Sequence, residues 1–140
     1  MINLRPRNVK YNKIHTKYLG KKNKKGINLT FGSFGLKAVE NGRIFPEQLE
    51  TVRKLITSEI KAEGTLYINI FPDNSLTTKA IGSRMGNGKG NVNTWCSYVH
   101  TGKIIFEVEN ISSKLAFGIL NKIKIYLPIQ TKIVILKKYK

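Results

Sequence analysis

Apolar and polar residues along the chain fall into short blocks whose spacing predicts most of the elements. Residues 27–33 place Ile27, Leu29 and Phe31 at alternate positions, as a half-buried strand does. A second strand is expected over 36–41, joined to the first at Gly35 and closed by an Asn41-Gly42 turn. From Pro46 to Glu63 the period changes. Leu49, Val52, Leu55, Ile56 and Ile60 share one helical face, Pro46 suits the first helical position, and Gly64 is placed to end the helix. Residues 65–71 alternate again, with Leu66, Ile68 and Ile70 on one side, before a turn at Pro72-Asp73-Asn74. Residues 93–100 and 103–108 read as a hairpin around Thr101-Gly102. Ser112 can cap a second helix running to about Tyr126, with Leu115, Ile119 and Ile123 repeating every fourth residue, Ala116 and Leu120 beside them, and Pro128 as the stop. A β-branched stretch, 131–136, is the last strand. The expected fold class is α+β: a mixed, mostly antiparallel sheet covered on one side by two helices.

One stretch fits no element. Residues 82–91, Gly-Ser-Arg-Met-Gly-Asn-Gly-Lys-Gly-Asn, hold four of the 12 glycines, two cations and no acid. Glycine at 86, 88 and 90 makes a poor helix and a poor strand, so the stretch is expected to protrude as a mobile loop, 80–91. Bare N–H groups and cations with little bulk suit a phosphate-rich partner. Two enzyme motifs fail on spacing. Gly88-Lys89 is followed by Gly90 where a P-loop needs Ser or Thr, and Ser83 replaces its first glycine; the 86, 88, 90 spacing is not the dinucleotide fingerprint.

Charge sharpens this picture. The 140 residues carry 25 Lys and Arg against 8 Asp and Glu, a net charge of +17, which makes nucleic acid the leading partner and an anionic membrane surface the second. No stretch has the length and apolarity of a membrane span. The first acid is Glu40. Residues 1–26 therefore form a basic arm, with Arg5, Arg7, Lys10, Lys13, Lys17, Lys21, Lys22, Lys24 and Lys25 interleaved by Tyr11, His15 and Tyr18; residues 27–140 form the single domain. Cations for phosphates and flat rings for unpaired bases suit RNA. A second acid-free window runs from Asn74 to Phe106 around the loop, with Lys79 in it. Half of the acids, Glu47, Glu50, Glu59 and Glu63, fall on the first expected helix, whose acid-rich face is expected to point away from a polyanion. Lys137, Lys138 and Lys140 make a basic tail. One cysteine, Cys96, excludes an intramolecular disulfide and reads as a core thiol, while Trp95 beside it is expected to be partly or wholly buried; His15 and His100 have no zinc spacing. No catalytic residues, metal ligands, cofactor or small-molecule substrate are expected. An RNA-modifying enzyme is disfavoured by the lack of a paired-acid or nucleophile–base constellation, and a DNA-architectural protein by the lack of a basic recognition helix.

Five stretches together resemble one family, the large-subunit ribosomal proteins known in bacteria as L-sixteen and related to the archaeal and eukaryotic L-ten-e proteins. They are Pro6-Arg7-Asn8-Val9-Lys10-Tyr11 with Lys13 and His15; Phe31-Gly32-Ser33-Phe34-Gly35-Leu36-Lys37-Ala38; Phe71-Pro72-Asp73 with Thr77 and Lys79, running into Arg84-Met85-Gly86-Asn87-Gly88-Lys89-Gly90-Asn91-Val92 and Trp95; Gly102-Lys103 leading to Glu107; and Leu127-Pro128 with Thr131. Ala80, Asn87 and Thr101 stand where the family usually has Pro, Lys and Pro, and the stretch after His15 is longer than usual. The resemblance implies an α/β-hammerhead domain in a large-subunit rRNA cleft, with neighbouring ribosomal proteins, that helps to shape the aminoacyl-tRNA site. It implies rRNA contacts along the arm (Arg5, Arg7, Lys10, Tyr11, Lys13, His15, Lys21, Lys22, Lys24, Lys25) and at Lys37 and Lys79. It implies a loop (Arg84, Met85, Gly86, Gly88, Lys89, Gly90, Asn91) facing tRNA and the peptidyl-transferase centre. The 20 Lys, 18 Ile and 13 Asn against five Arg suit A/T-rich coding, so an organelle-encoded mitochondrial ribosomal protein is expected, with a plastid or bacterial cytoplasm as the alternative.

Overall fold

A computed structural model describes residues 4–15, 20, 25–60 and 63–136. The architecture is α+β, but with two antiparallel sheets in place of one mixed sheet. In chain order the elements are β1 (Phe34–Ala38), β2 (Gly42–Ile44), α1 (Pro46–Ile60), β3 (Thr65–Ile68), β4 (Asn74–Thr78), β5 (Asn91–Val99), β6 (Ile104–Glu109), α2 (Ser113–Ile123), a short 3-10 turn (Lys124–Tyr126) and β7 (Thr131–Ile135). The first sheet has the order β3-β6-β1-β7 and the second β2-β5-β4.

The hairpin expected around Thr101-Gly102 does not form. β5 pairs with β2 and β4, while β6 pairs with β1 and β3. The two sheets are instead threaded by one bent ribbon. Lys37 faces Ile104, and Gly42, Arg43 and Ile44 face Val99, Tyr98 and Ser97 in the same register. Across the corner, the Ala38 N–H donates to the Lys103 carbonyl and the Gly102 N–H to the Ala38 carbonyl, both at 2.8 Å. Asn41 Oδ1 locks the two bends together by accepting from the Thr101 N–H (2.6 Å) and from its hydroxyl (3.0 Å). Gly102 turns at φ 93°, where a side chain would be strained. Thr101-Gly102 is thus a corner shared by two strands, and the register shift beside Leu36 adds a bulge that helps the ribbon bend.

The helices follow their apolar periodicity. Leu49, Val52, Ile56 and Ile60 of α1 are buried, as are Ala116, Ile119, Leu120 and Ile123 of α2. Both pack on the first sheet, and their side chains join Leu36, Phe106 and Val108 in the main core. Leu115, expected inside, is 37% exposed, because α2 turns the face of Ala116 inward. α2 ends in the 3-10 turn before Pro128. Gly64 lies against Ile60 and Ile111, where a side chain has no room.

Two further expectations differ. Residues 27–33 form no strand: the Thr30, Phe31 and Gly32 N–H groups all donate to Glu107 Oε2, at 3.0, 2.8 and 2.8 Å. A buried carboxylate has replaced the neighbouring strand as their acceptor. The turn expected at Pro72-Asp73-Asn74 runs directly into β4, a polar strand with weak alternation that pairs along β5. β4 and β5 form the neck of the 80–91 loop.

Candidate nucleic-acid interface

The loop is exposed from Ala80 to Lys89. Gly82, Gly86, Asn87 and Gly88 all have positive φ, and nothing lies within 4 Å of a side chain added at Gly82, Gly86 or Gly88. The tip is therefore bare backbone in open space. Ile81 and Met85 stand out from it, at 106% and 97% exposure, so no apolar contact within the domain holds them. At the neck, Gly90 lies against the Thr78 backbone so closely that a side chain would collide.

Arm and loop meet, a connection their separation in sequence did not suggest. Lys89 Nζ donates to the Ile14 carbonyl (2.7 Å), and Lys13 Nζ donates to the Lys89 carbonyl (3.2 Å). Lys79 Nζ bonds the Gly86 carbonyl at 2.6 Å and holds the loop tip toward the neck. Two loop cations thus brace backbone and remain exposed on the same surface. Arg5, Arg7, Lys10, Tyr11, Lys13, His15 and Lys25 of the arm are exposed too. Lys10 Nζ lies 5.5 Å from the Tyr11 ring centre, leaving a flat ring 67% exposed beside a cation. Arg84 and Asn91 are exposed on the loop, and Gly90 is half-buried. Lys37 is half-buried, and its Nζ ties down the Ile27 carbonyl at 2.8 Å. Lys21, Lys22 and Lys24, with Lys17, Tyr18 and the terminal lysines, lie outside the described residues.

The acids are placed elsewhere. Glu50 forms a two-pronged pair with Arg53 on α1, both bonds 2.8 Å, and Glu59 bonds Lys122 of α2 at 2.6 Å. The Arg53 hydrogen bond holds the Glu50 carboxyl below its usual value. Glu107 is fully buried. Burial pushes its pKa up, but the N–H groups of Gly32 and Phe31, the Asn69 amide and the Thr30 N–H outweigh that, so its carboxyl titrates below the ordinary range. Cys96 is buried, and loss of solvation pushes its thiol up. Trp95 is half-buried, outside the main core, and pairs across the strands with Ser75.

Sequence reasoning gave no surface role to Phe31 and Phe71, which are 57% and 45% exposed. The alternation over 27–33 predicts Phe31 on the inward face. The signal that could have found it is Glu107: an acid inside Ile-Ile-Phe-Glu-Val must collect donors, and the glycine-flanked backbone near Phe31 supplies them.

Exposed cations on a bare, glycine-rich backbone, latched to a basic arm, form one basic surface. Comparison with known proteins places the chain in a family. Residues 6–134 match the family described as Ribosomal protein L16p/L10e. The large ribosomal subunit protein uL16 of Hyphomonas neptunium is 40% identical over 131 residues, covering 94% of this chain and 95% of that protein. The chain belongs to the ribosomal protein L16p/L10e family, and membership supports a structural, non-enzymatic role in the large ribosomal subunit, among rRNA and other ribosomal proteins.

Proposed function

We propose that the chain binds large-subunit rRNA through its arm, residues 1–26, and helps to shape the aminoacyl-tRNA site with its 80–91 loop, which faces tRNA and the peptidyl-transferase centre. The observation that carries this reading is the latch between Lys13, Ile14 and Lys89, which makes one surface of the arm and the loop. In this reading Arg5, Arg7, Lys10, Lys13 and Lys25, with the lysines at 21, 22 and 24, neutralise rRNA phosphates, and Tyr11 and His15 stack on unpaired bases. Lys37 and Lys79 add two further rRNA contacts. Arg84 and Lys89 meet phosphates, Met85 packs against RNA or tRNA, and Gly86, Gly88, Gly90 and Asn91 allow close backbone approach.

Salt dependence tests the arm. The slope of log affinity against log salt reports about 0.7–0.9 per neutralised phosphate. Deleting residues 1–26 flattens that slope for a large-subunit rRNA fragment. An unchanged slope would remove the arm from the interface. Within this reading the ribosome is mitochondrial, on the Lys-, Ile- and Asn-rich composition; the bacterial relative supports the bacterial alternative. Labelled translation in isolated mitochondria, with cytosolic synthesis blocked, yields the 15.9 kDa chain if it is organelle-encoded and lacks it otherwise.

A further inference from the structure

A cleft of about 530 Å³ opens between the 26–31 segment and the connection from β3 to β4, and none of the residues of the arm–loop latch is among its described lining. Its volume lies in the range of small-ligand sites, roughly 300–1,000 Å³. We propose that this cleft receives a single unpaired RNA base, stacked on Phe31. The inference rests on the RNA-binding reading above and adds a site to it.

The floor is apolar, built by Leu4, Ile68, Ile70 and Ile104. Phe31 and Phe71 supply exposed aromatic surface at the walls. Phe31 is fixed from two directions. Its ring stacks on Tyr67, with centres 5.2 Å apart and planes 25° from parallel, and the Tyr67 hydroxyl is tied to Glu109 at 3.2 Å. Its backbone N–H donates to the buried Glu107 carboxylate, as do the N–H groups on either side. Tyr67 is not part of the cleft wall, so it backs the ring while Phe31 remains 57% exposed. Such a platform is ordered before binding, and a base landing on it loses little to further ordering.

The polar rim favours a nucleotide over an apolar side chain. Among the described residues that line the cleft, Lys103 is the one cation and none is an acid, which suits a phosphate. Asn28 and Asn69 present amides to a base edge. Asn69 Nδ2 donates to Glu107, which leaves its Oδ1 as an acceptor. A purely apolar occupant would make no use of these groups. A base within a duplex cannot present its face, so the occupant is a base from a loop, bulge or single strand.

The test uses the full chain with two probes of equal charge, deca-adenylate and an abasic decamer, at matched salt. Stacking contributes enough per base that Phe31→Leu lowers deca-adenylate affinity about 5- to 100-fold, with the abasic decamer unaffected. Leucine keeps the site apolar, and Phe71→Leu tests the other wall independently if Phe31→Leu melts early. Short-wave ultraviolet crosslinking followed by peptide mapping places the adenylate adduct on Phe31 or Phe71. Wild-type affinity in both leucine variants, or adducts confined to Tyr11 and the arm, overturns the pocket while the RNA reading survives. Binding of neither probe overturns both.

Discussion

Removing the charge of Glu107 is the most demanding perturbation of this fold. Glu107→Gln keeps the shape but sets an amide against three backbone donors and the Asn69 side chain. Hydrogen bonds to a charged group contribute about 1.5–3 kcal/mol each, and a buried group left without its partner costs about 1–3 kcal/mol. Glutamine retains one acceptor oxygen, so part of the network survives, and the net loss at neutral pH should be about 2–4 kcal/mol. With a urea slope of about 1–3 kcal/mol/M, the unfolding midpoint falls by about 0.7–4 M. The sign of the pH dependence is fixed by the direction of the shift. The folded carboxyl titrates below its unfolded value, so its contribution is complete above the unfolded pKa and is lost as pH falls through the folded one. The gap between wild type and variant should therefore be full at neutral pH and narrow as pH falls below the ordinary glutamate range. Urea titrations at constant ionic strength measure both, and hydrogen exchange at Thr30, Phe31 and Gly32 reports the local release. A loss under about 0.5 kcal/mol at neutral pH, or a gap independent of pH, would refute the assignment of Glu107 as the clamp of this segment.

Gly90→Ala should cost about 1–3 kcal/mol, because its side chain meets the Thr78 backbone; thermal melting beside Gly118→Ala, where nothing lies within 4 Å, provides the comparison. Cys96 should resist alkylation in the native chain and react at once in denaturant, given its burial and raised pKa, and mass spectrometry of iodoacetamide-treated protein measures this. Arg84→Ala combined with Lys89→Ala should preserve subunit assembly and slow single-turnover peptide-bond formation; normal rates in fully assembled subunits would leave the loop without its proposed part.

Helices were legible in the sequence because their apolar stripe repeats within one short segment. Leu49, Val52, Ile56 and Ile60 announce α1 without reference to anything distant. Sheet topology was not legible, because strand signals do not name their partners. Thr101-Gly102 has the composition of a hairpin turn, yet the Asn41 side chain and the β1–β6 pairing, both remote in sequence, make it a corner. β4 was hidden by its polar residues, two of which, Asn74 and Ser75, are buried. The loop was legible from its glycines alone. Its latch to the arm was not, since lysine side chains bonding backbone carbonyls leave no pattern in sequence. Trp95 borders the loop neck half-buried, within the expectation of partial burial, while Cys96 beside it points fully inward.

The placement of the loop is the central claim, and a tethered cleavage reagent tests it most directly. Met85→Cys puts a reactive thiol at the exposed tip, while Cys96 stays buried. Iron tethered there, in large subunits assembled with the labelled chain and carrying tRNA in the aminoacyl site, generates hydroxyl radicals at the loop. The account predicts cleavage of that tRNA and of rRNA at the peptidyl-transferase centre. Cleavage confined to distant rRNA, in subunits that contain the labelled chain in full amount, would contradict it.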